Sequence, residues 1–210
     1  MDPTLVTNLF GAIGLGAASG LNAWIPLLGL GLADRFGLVE LTAPFDRLSS
    51  TVVLVVLAAI FVLDLVGDKI AVVDHVLHAV GTVVAPASGA IVFAAQENLL
   101  SHSHPWLAAG AGIVLGESMH LGRSALRPAV TATTGGVGNP IVSFVEDAFS
   151  GVLTLLAVLV PILAFLFLLA ITFFAVRFLR RWRRRRNDAK ALAVTQPPPP
   201  TGLGGPRAVP

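Results

Sequence analysis

The chain has 210 residues, of which 55% are hydrophobic and only 12% are charged. Soluble domains carry about 25% charged residues, so too few charges remain here to cover a water-soluble globule, and the long apolar runs point to lipid as the solvent. The net charge of +2 is local, because seven of the fourteen Lys and Arg residues lie between Arg177 and Arg186; this gives no support to nucleic-acid binding by the body of the protein, and the absence of cysteine excludes disulfides, thiolate catalysis and cysteine-ligated metals.

A helix needs about 20 apolar residues to cross a bilayer, and five stretches reach or approach that length. Met1-Asp2 has no basic region and the first apolar run is longer than a signal-peptide core, so it reads as mature structure. That run, Leu5 to Ala33, holds no charge but contains Gly20, Asn22 and Pro26. Leu48 to Gly67 follows, Val/Leu-rich, with Asp64 near its end. Beyond it stand Asp68, Lys69, Asp74, His75 and His78. Asp64 and Asp68 are four apart and share a helix face. They form either an interfacial charge cluster or part of an ion site.

Val76 to Ala95 includes Pro86 within Ala-Pro-Ala-Ser-Gly. The following loop contains His102-Ser-His104, a short histidine pair that is common by chance. Pro105 to Leu121 carries Glu117 and His120, with Arg123 and Arg127 beyond. Glu117 and His120 are spaced as in carboxylate-bridged metal sites, but those need a second such pair and two further glutamates, so no metal is assigned. An unperturbed histidine titrates near neutral pH, which makes His120 a candidate proton relay. Thr134 to Pro140 reads Thr-Gly-Gly-Val-Gly-Asn-Pro and includes Asn139; Glu146 and Asp147 follow it. Adjacent acids near a helix start are either dipole-stabilised caps or cation ligands.

Proline and glycine inside apolar runs have two readings. They kink ordinary helices, or they mark broken and re-entrant segments lining a wet site. Gly16-x-x-x-Gly20 and Gly112-x-x-x-Gly116 allow close helix approach, within the chain or in a homo-oligomer. Gly151 to Val176 is uncharged and interrupted by Pro161. Then come Arg177, Arg180, Arg181, Arg183, Arg184, Arg185 and Arg186 around Trp182. Such a cluster marks the cytoplasmic side and attracts anionic lipid headgroups. Residues 187–210, with four consecutive prolines, read as a disordered tail.

The expected fold is therefore an all-α integral membrane protein, with five or six transmembrane helices and broken or re-entrant segments. Residues 1–178 form the membrane domain and 179–186 a basic juxtamembrane segment, in the inner (plasma) membrane with the C-terminus cytoplasmic. No Lys or Arg lies between the third and fourth runs, which places that loop outside. An extra crossing or re-entrant turn is then required between Pro128 and Gly151. Soluble-enzyme motifs are missing, and no cofactor is expected.

Three segments resemble the bacterial domain-of-unknown-function family 4126: Gly16 to Leu28, Asp68-Lys69-Ile70 leading to Val73-Asp74, and Thr133 to Asp147. Together they span roughly residues 5 to 175. Family members often have proline where Ala71 stands, an acid at His78 and arginine at Ala85, so no essential role carries over to those positions. The resemblance implies an integral membrane protein and supplies neither substrate nor catalytic residue. From the residues themselves, the leading expectation is a small transporter or permease coupled to protons or cations. Its candidates are Asn22, Pro26, Asp64, Asp68, Lys69, Asp74, Glu117, His120, Arg123, Asn139, Glu146 and Asp147. The alternative is a membrane scaffold using its glycine faces for helix contacts. A lipid-modifying enzyme ranks third.

Overall fold

The computed structural model describes residues 2–41, 43–67, 71–96 and 98–195. Among these the regular structure is helical throughout: α1 (Pro3–Leu21), α2 (Trp24–Arg35), a 3-10 turn (Phe45–Ser49), α3 (Thr51–Gly67), α4 (Ala71–Ala95), α5 (Leu99–Ser103), α6 (Pro105–Thr134), α7 (Asn139–Leu159) and α8 (Pro161–Thr195). Helix α1 starts where Asp2 accepts from the Thr4 N–H at 2.9 Å and the Thr4 hydroxyl at 2.7 Å, with Pro3 in the first turn. Those two bonds hold the Asp2 carboxyl below its ordinary range.

The first apolar run is neither a kinked helix nor one continuing past a break. Asn22 adopts an extended backbone, and the chain reverses there. Asn22 bonds Asp147 and Gly14 lies against Ala157, so α1 and α7 are antiparallel. Gly29 lies against Thr154, so α2 runs parallel to α7 and therefore back along α1. Helix α3 reverses again, since Gly31 meets Leu54 while Asn22 meets Asp64. With 12 residues, α2 is only about 18 Å long.

The other two interruptions also resolve. Helix α4 continues through Pro86. The run Thr134 to Pro140 is the turn between α6 and α7, where Gly135 and Gly136 take φ of 63° and 90°, a region glycine enters without a Cβ clash. A helix hairpin thus lies between Pro128 and Gly151. Pro161, by contrast, does split the last run: α7 ends at Leu159, and Pro161 opens α8.

Close packing centres on α1, α4 and α6. A Cβ on Gly112 would lie 2.1 Å from the Gly89 carbonyl, and one on Gly20 2.3 Å from that of Gly116. Only glycine permits this approach. Antiparallel α4 and α6 continue the contact from Ala85 on Gly116 to Gly81 on His120.

Among the described residues three helical segments are long and apolar enough to cross a membrane: Pro3–Leu21, Asn139–Leu159 and Pro161–Phe178. Thr51–Gly67 and Ala79–Ala95 are apolar but shorter. The large side chains Val52, Val55, Leu63, Phe144, Leu155 and Leu166 are exposed, whereas Ser19, Asn22, Ser88, His120 and Ser150 are buried. That distribution inverts the pattern of a protein packed for water.

The chain forms two compact units, Met1–Leu169 and Ala170–Pro210. In the second, α8 stays helical to Thr195, past Asn187, where the sequence suggested a disordered tail. The run Ala189-Lys-Ala-Leu-Ala is built from strong helix formers. Residues 196–210 lie outside the described residues.

Candidate functional site

Reversing a helix inside an apolar surrounding strands backbone groups that water would otherwise satisfy. The α1–α2 turn meets that demand with side chains. The Asn22 N–H donates to the Ala18 carbonyl at 3.0 Å. The Asn22 side-chain oxygen accepts from the N–H groups of Trp24 and Ile25 at 2.9 and 3.3 Å. One residue therefore closes α1 and caps α2. Ser150 of α7 donates to the Ala18 carbonyl at 3.0 Å and lies 3.4 Å from that of Asn22. Ser88 of α4 donates to the Ala23 carbonyl at 2.7 Å. The Arg123 guanidinium of α6 donates to the Leu21 carbonyl, a favourable place for a cation at a helix C-terminus.

These contacts leave two carboxylates that the turn does not need. The Asn22 side-chain amide donates both its N–H bonds to acids, at 3.0 Å to Asp64 of α3 and 2.9 Å to Asp147 of α7. Bound to one nitrogen, the two acceptor oxygens are at most about 6 Å apart, where two full charges repel by about 3 kcal/mol at an effective dielectric near 20. A proton or a small cation relieves that repulsion. Asp147 is 9% exposed and Asn22 4%, so water offers little of that relief.

A cleft of about 40 Å³ opens beside Asn22 and Asp64, lined also by Trp24, Gly81, His120 and Arg123 among others; Asp147 reaches it through Asn22. One water occupies about 10–15 Å³ on this measure. The cleft is therefore the size of a few waters or a small ion. Behind it, Glu146 accepts from Arg127 at 3.3 Å and lies 3.5 Å from Arg123.

Of the sequence candidates, Asn22, Asp64, Asp147, His120, Arg123 and Glu146 thus come together. Pro26 is buried in the first turn of α2, where its missing N–H costs nothing, and does not line the cleft. Asn139 bonds Thr131 at 3.1 Å and holds the α6–α7 turn, away from the Asn22 reversal. Glu117 does not line the cleft, and its Oε2 is buried without a hydrogen-bond partner among the described residues. Asp68 and Lys69 lie outside the described residues, and of Asp74 only its backbone place in α4 is described. His102 and His104 have no third ligand: among the described residues no three His, Cys, Asp or Glu converge as a metal site.

Three buried serines beside the turn, Ser19, Ser88 and Ser150, are not among the candidates singled out from the sequence. A signal for Ser150 was present. Ser143, Asp147, Ser150 and Thr154 recur at helical spacing in an apolar helix, and all four are buried. Ser19 and Ser88 gave no such signal, because isolated serines are common at helix contacts.

No curated protein and no solved structure matches the chain. A family model described as "Domain of unknown function (DUF4126)" matches residues 9–181. That match covers most of the sequence and includes Asn22, Asp64, His120, Arg123 and Asp147, so the chain belongs to the DUF4126 family.

Proposed function

We propose that this protein is a multi-pass membrane transporter or permease that moves, or is driven by, protons or small monovalent cations through the Asn22–Asp64–Asp147 site. The observation that carries this reading is the convergence of two carboxylates, from separate helices, on one buried amide at a helix reversal. Intramembrane acids are costly and are kept where they handle charge. Helix termini that meet at membrane depth are the usual setting for ion sites in transporters. The small volume of the cleft favours an ion over an organic solute. The scaffold reading has less support, because Gly20, Gly89, Gly112 and Gly116 are already packed against the chain's own backbone.

The topology that fits this reading has five crossings, α3, α4, α6, α7 and α8, with α1–α2 as a re-entrant hairpin. The loop after α2 carries Glu40, Asp46 and Arg47 and must lie in water. At about 18 Å, α2 cannot reach the far side of a core about 30 Å thick, so Asn22 sits within the membrane. Residues 96–104 contain no Lys or Arg, whereas Arg123 and Arg127 lie toward the other end of α6. The positive-inside rule places the former outside and the latter toward the cytoplasm of a cell's plasma membrane, with the arginine cluster of α8 in the cytoplasm against anionic lipids.

The test is ion flux in proteoliposomes under an imposed pH or cation gradient. Asp64→Asn and Asp147→Asn keep the shape and remove the charge. Each is expected to cut flux at least about tenfold, equivalent to 1.4 kcal/mol. Wild-type flux in both variants would remove the site from the mechanism.

A further inference from the structure

We infer that His120 is the proton-accepting group of this cleft and that Gly81 is its positioning residue, an assignment that rests on the transport reading above. Most buried histidines are core residues held by neighbours on every side. His120 is 2% exposed, yet it lines the cleft together with Asp64 and Arg123. Its ring occupies space that α4 leaves open only because residue 81 has no side chain. A Cβ there would lie 2.8 Å from the ring carbon Cε1 and 3.5 Å from Nδ1.

The groups around the ring give its protonation a consequence. From α3 the cleft receives Asp64, and from α1–α2 Asn22 and Trp24. Helix α6 adds Arg123 one turn from His120, with Glu117 and Arg127 on either side in sequence. Helix α7 brings Asp147 to Asn22 and Glu146 to the arginines. On α4, Val80, Gly81, Val84 and Ala85 line the cleft and are uncharged; the side chains of Asp74, His75 and His78 lie outside the described residues. An imidazolium at position 120 adds a positive charge to a cleft that Arg123 and Asp64 also line. It weakens the hold of Arg123 on the Leu21 carbonyl and Glu146 by like-charge repulsion, and it offers Asp64 a proton across the cleft. Passing that proton to a carboxylate oxygen leaves neutral imidazole and neutral carboxyl, with no charge stranded. Of the groups described in the cleft, only histidine changes charge between about pH 5 and 8 without help from its surroundings.

Trp24 lines the same cleft and is a built-in reporter. The chain has three tryptophans, so a Trp106→Phe, Trp182→Phe background isolates it. Full-length protein in detergent should show one pH-dependent step in Trp24 emission. His120→Gln should abolish the step, while His75→Gln with His78→Gln, and His102→Gln with His104→Gln, should retain it. Gly81→Ala should shift or abolish it while the protein stays monodisperse, because the atom in its way is the ring end of a side chain rather than backbone. A step that survives His120→Gln, or that follows sodium concentration in place of pH, would overturn the assignment. Flux in proteoliposomes of the same samples separates the two claims. A His120-dependent step without any flux refutes transport and leaves the proton site standing; flux with no such step does the reverse.

Discussion

Asn22 ties four helices together through its N–H and the two ends of its side-chain amide. Its N–H closes α1, its oxygen caps α2, and its amide holds Asp64 of α3 and Asp147 of α7. Asn22→Ala removes a helix cap, typically worth about 1 kcal/mol, and a donor shared by buried Asp147 and half-buried Asp64, worth about 1–3 kcal/mol. The expected loss is about 2–4 kcal/mol, read from the unfolding midpoint in mixed micelles; a loss below half a kcal/mol would show that the reversal is held elsewhere. At this scale the sequence was informative. An asparagine, two aspartates and a histidine inside apolar runs stand out without any coordinates, since each is costly in lipid. Pro26 and Asn139 stood out as interruptions of apolar runs; the first lies in a first helical turn and the second in a hairpin turn.

Among the described elements, α4 and α6 share the most extensive contact. Their contact runs through Gly89, Gly112 and Gly116, and a methyl at Gly112 meets the carbonyl of a facing backbone that cannot move alone. Gly112→Ala should destabilise the protein by about 1–3 kcal/mol or more. Gly110→Ala two residues away, with nothing within 4 Å of its Cβ, should be neutral or slightly stabilising through helix propensity. The same unfolding measurement checks both, and equal effects would refute close packing at Gly112. The spacing of these glycines was readable in the sequence. Which helix each would meet was not, because small residues four apart specify a face and not a partner. Proline was the less dependable guide: Pro86 sits inside an unbroken α4, whereas Pro161 opens a new helix. The difference depends on whether neighbouring helices cover the backbone that proline leaves unbonded.

For the molecule as a whole, the helix directions make a topological claim that a cysteine-free chain tests cleanly. Single cysteines at Glu40, Ser103 and Thr133 should respond differently to a membrane-impermeant maleimide on intact cells. Glu40→Cys and Ser103→Cys should label directly, and Thr133→Cys only after permeabilisation. Labelling of Glu40→Cys and Ser103→Cys from opposite faces would dismantle the re-entrant hairpin. The membrane-length apolar segments, the helical class, the basic end of α8 and the candidates Asn22, Asp64, His120 and Asp147 follow from composition and local order, because hydropathy and helical period are properties of neighbours along the chain, whereas the buried Ser19 and Ser88 left no mark there. The reversal at Asn22 and the meeting of residues 42 and 125 positions away at its amide do not follow from them. They depend on the directions in which whole helices run and on how closely glycine lets them approach, and both are set by packing between segments that are remote in the chain.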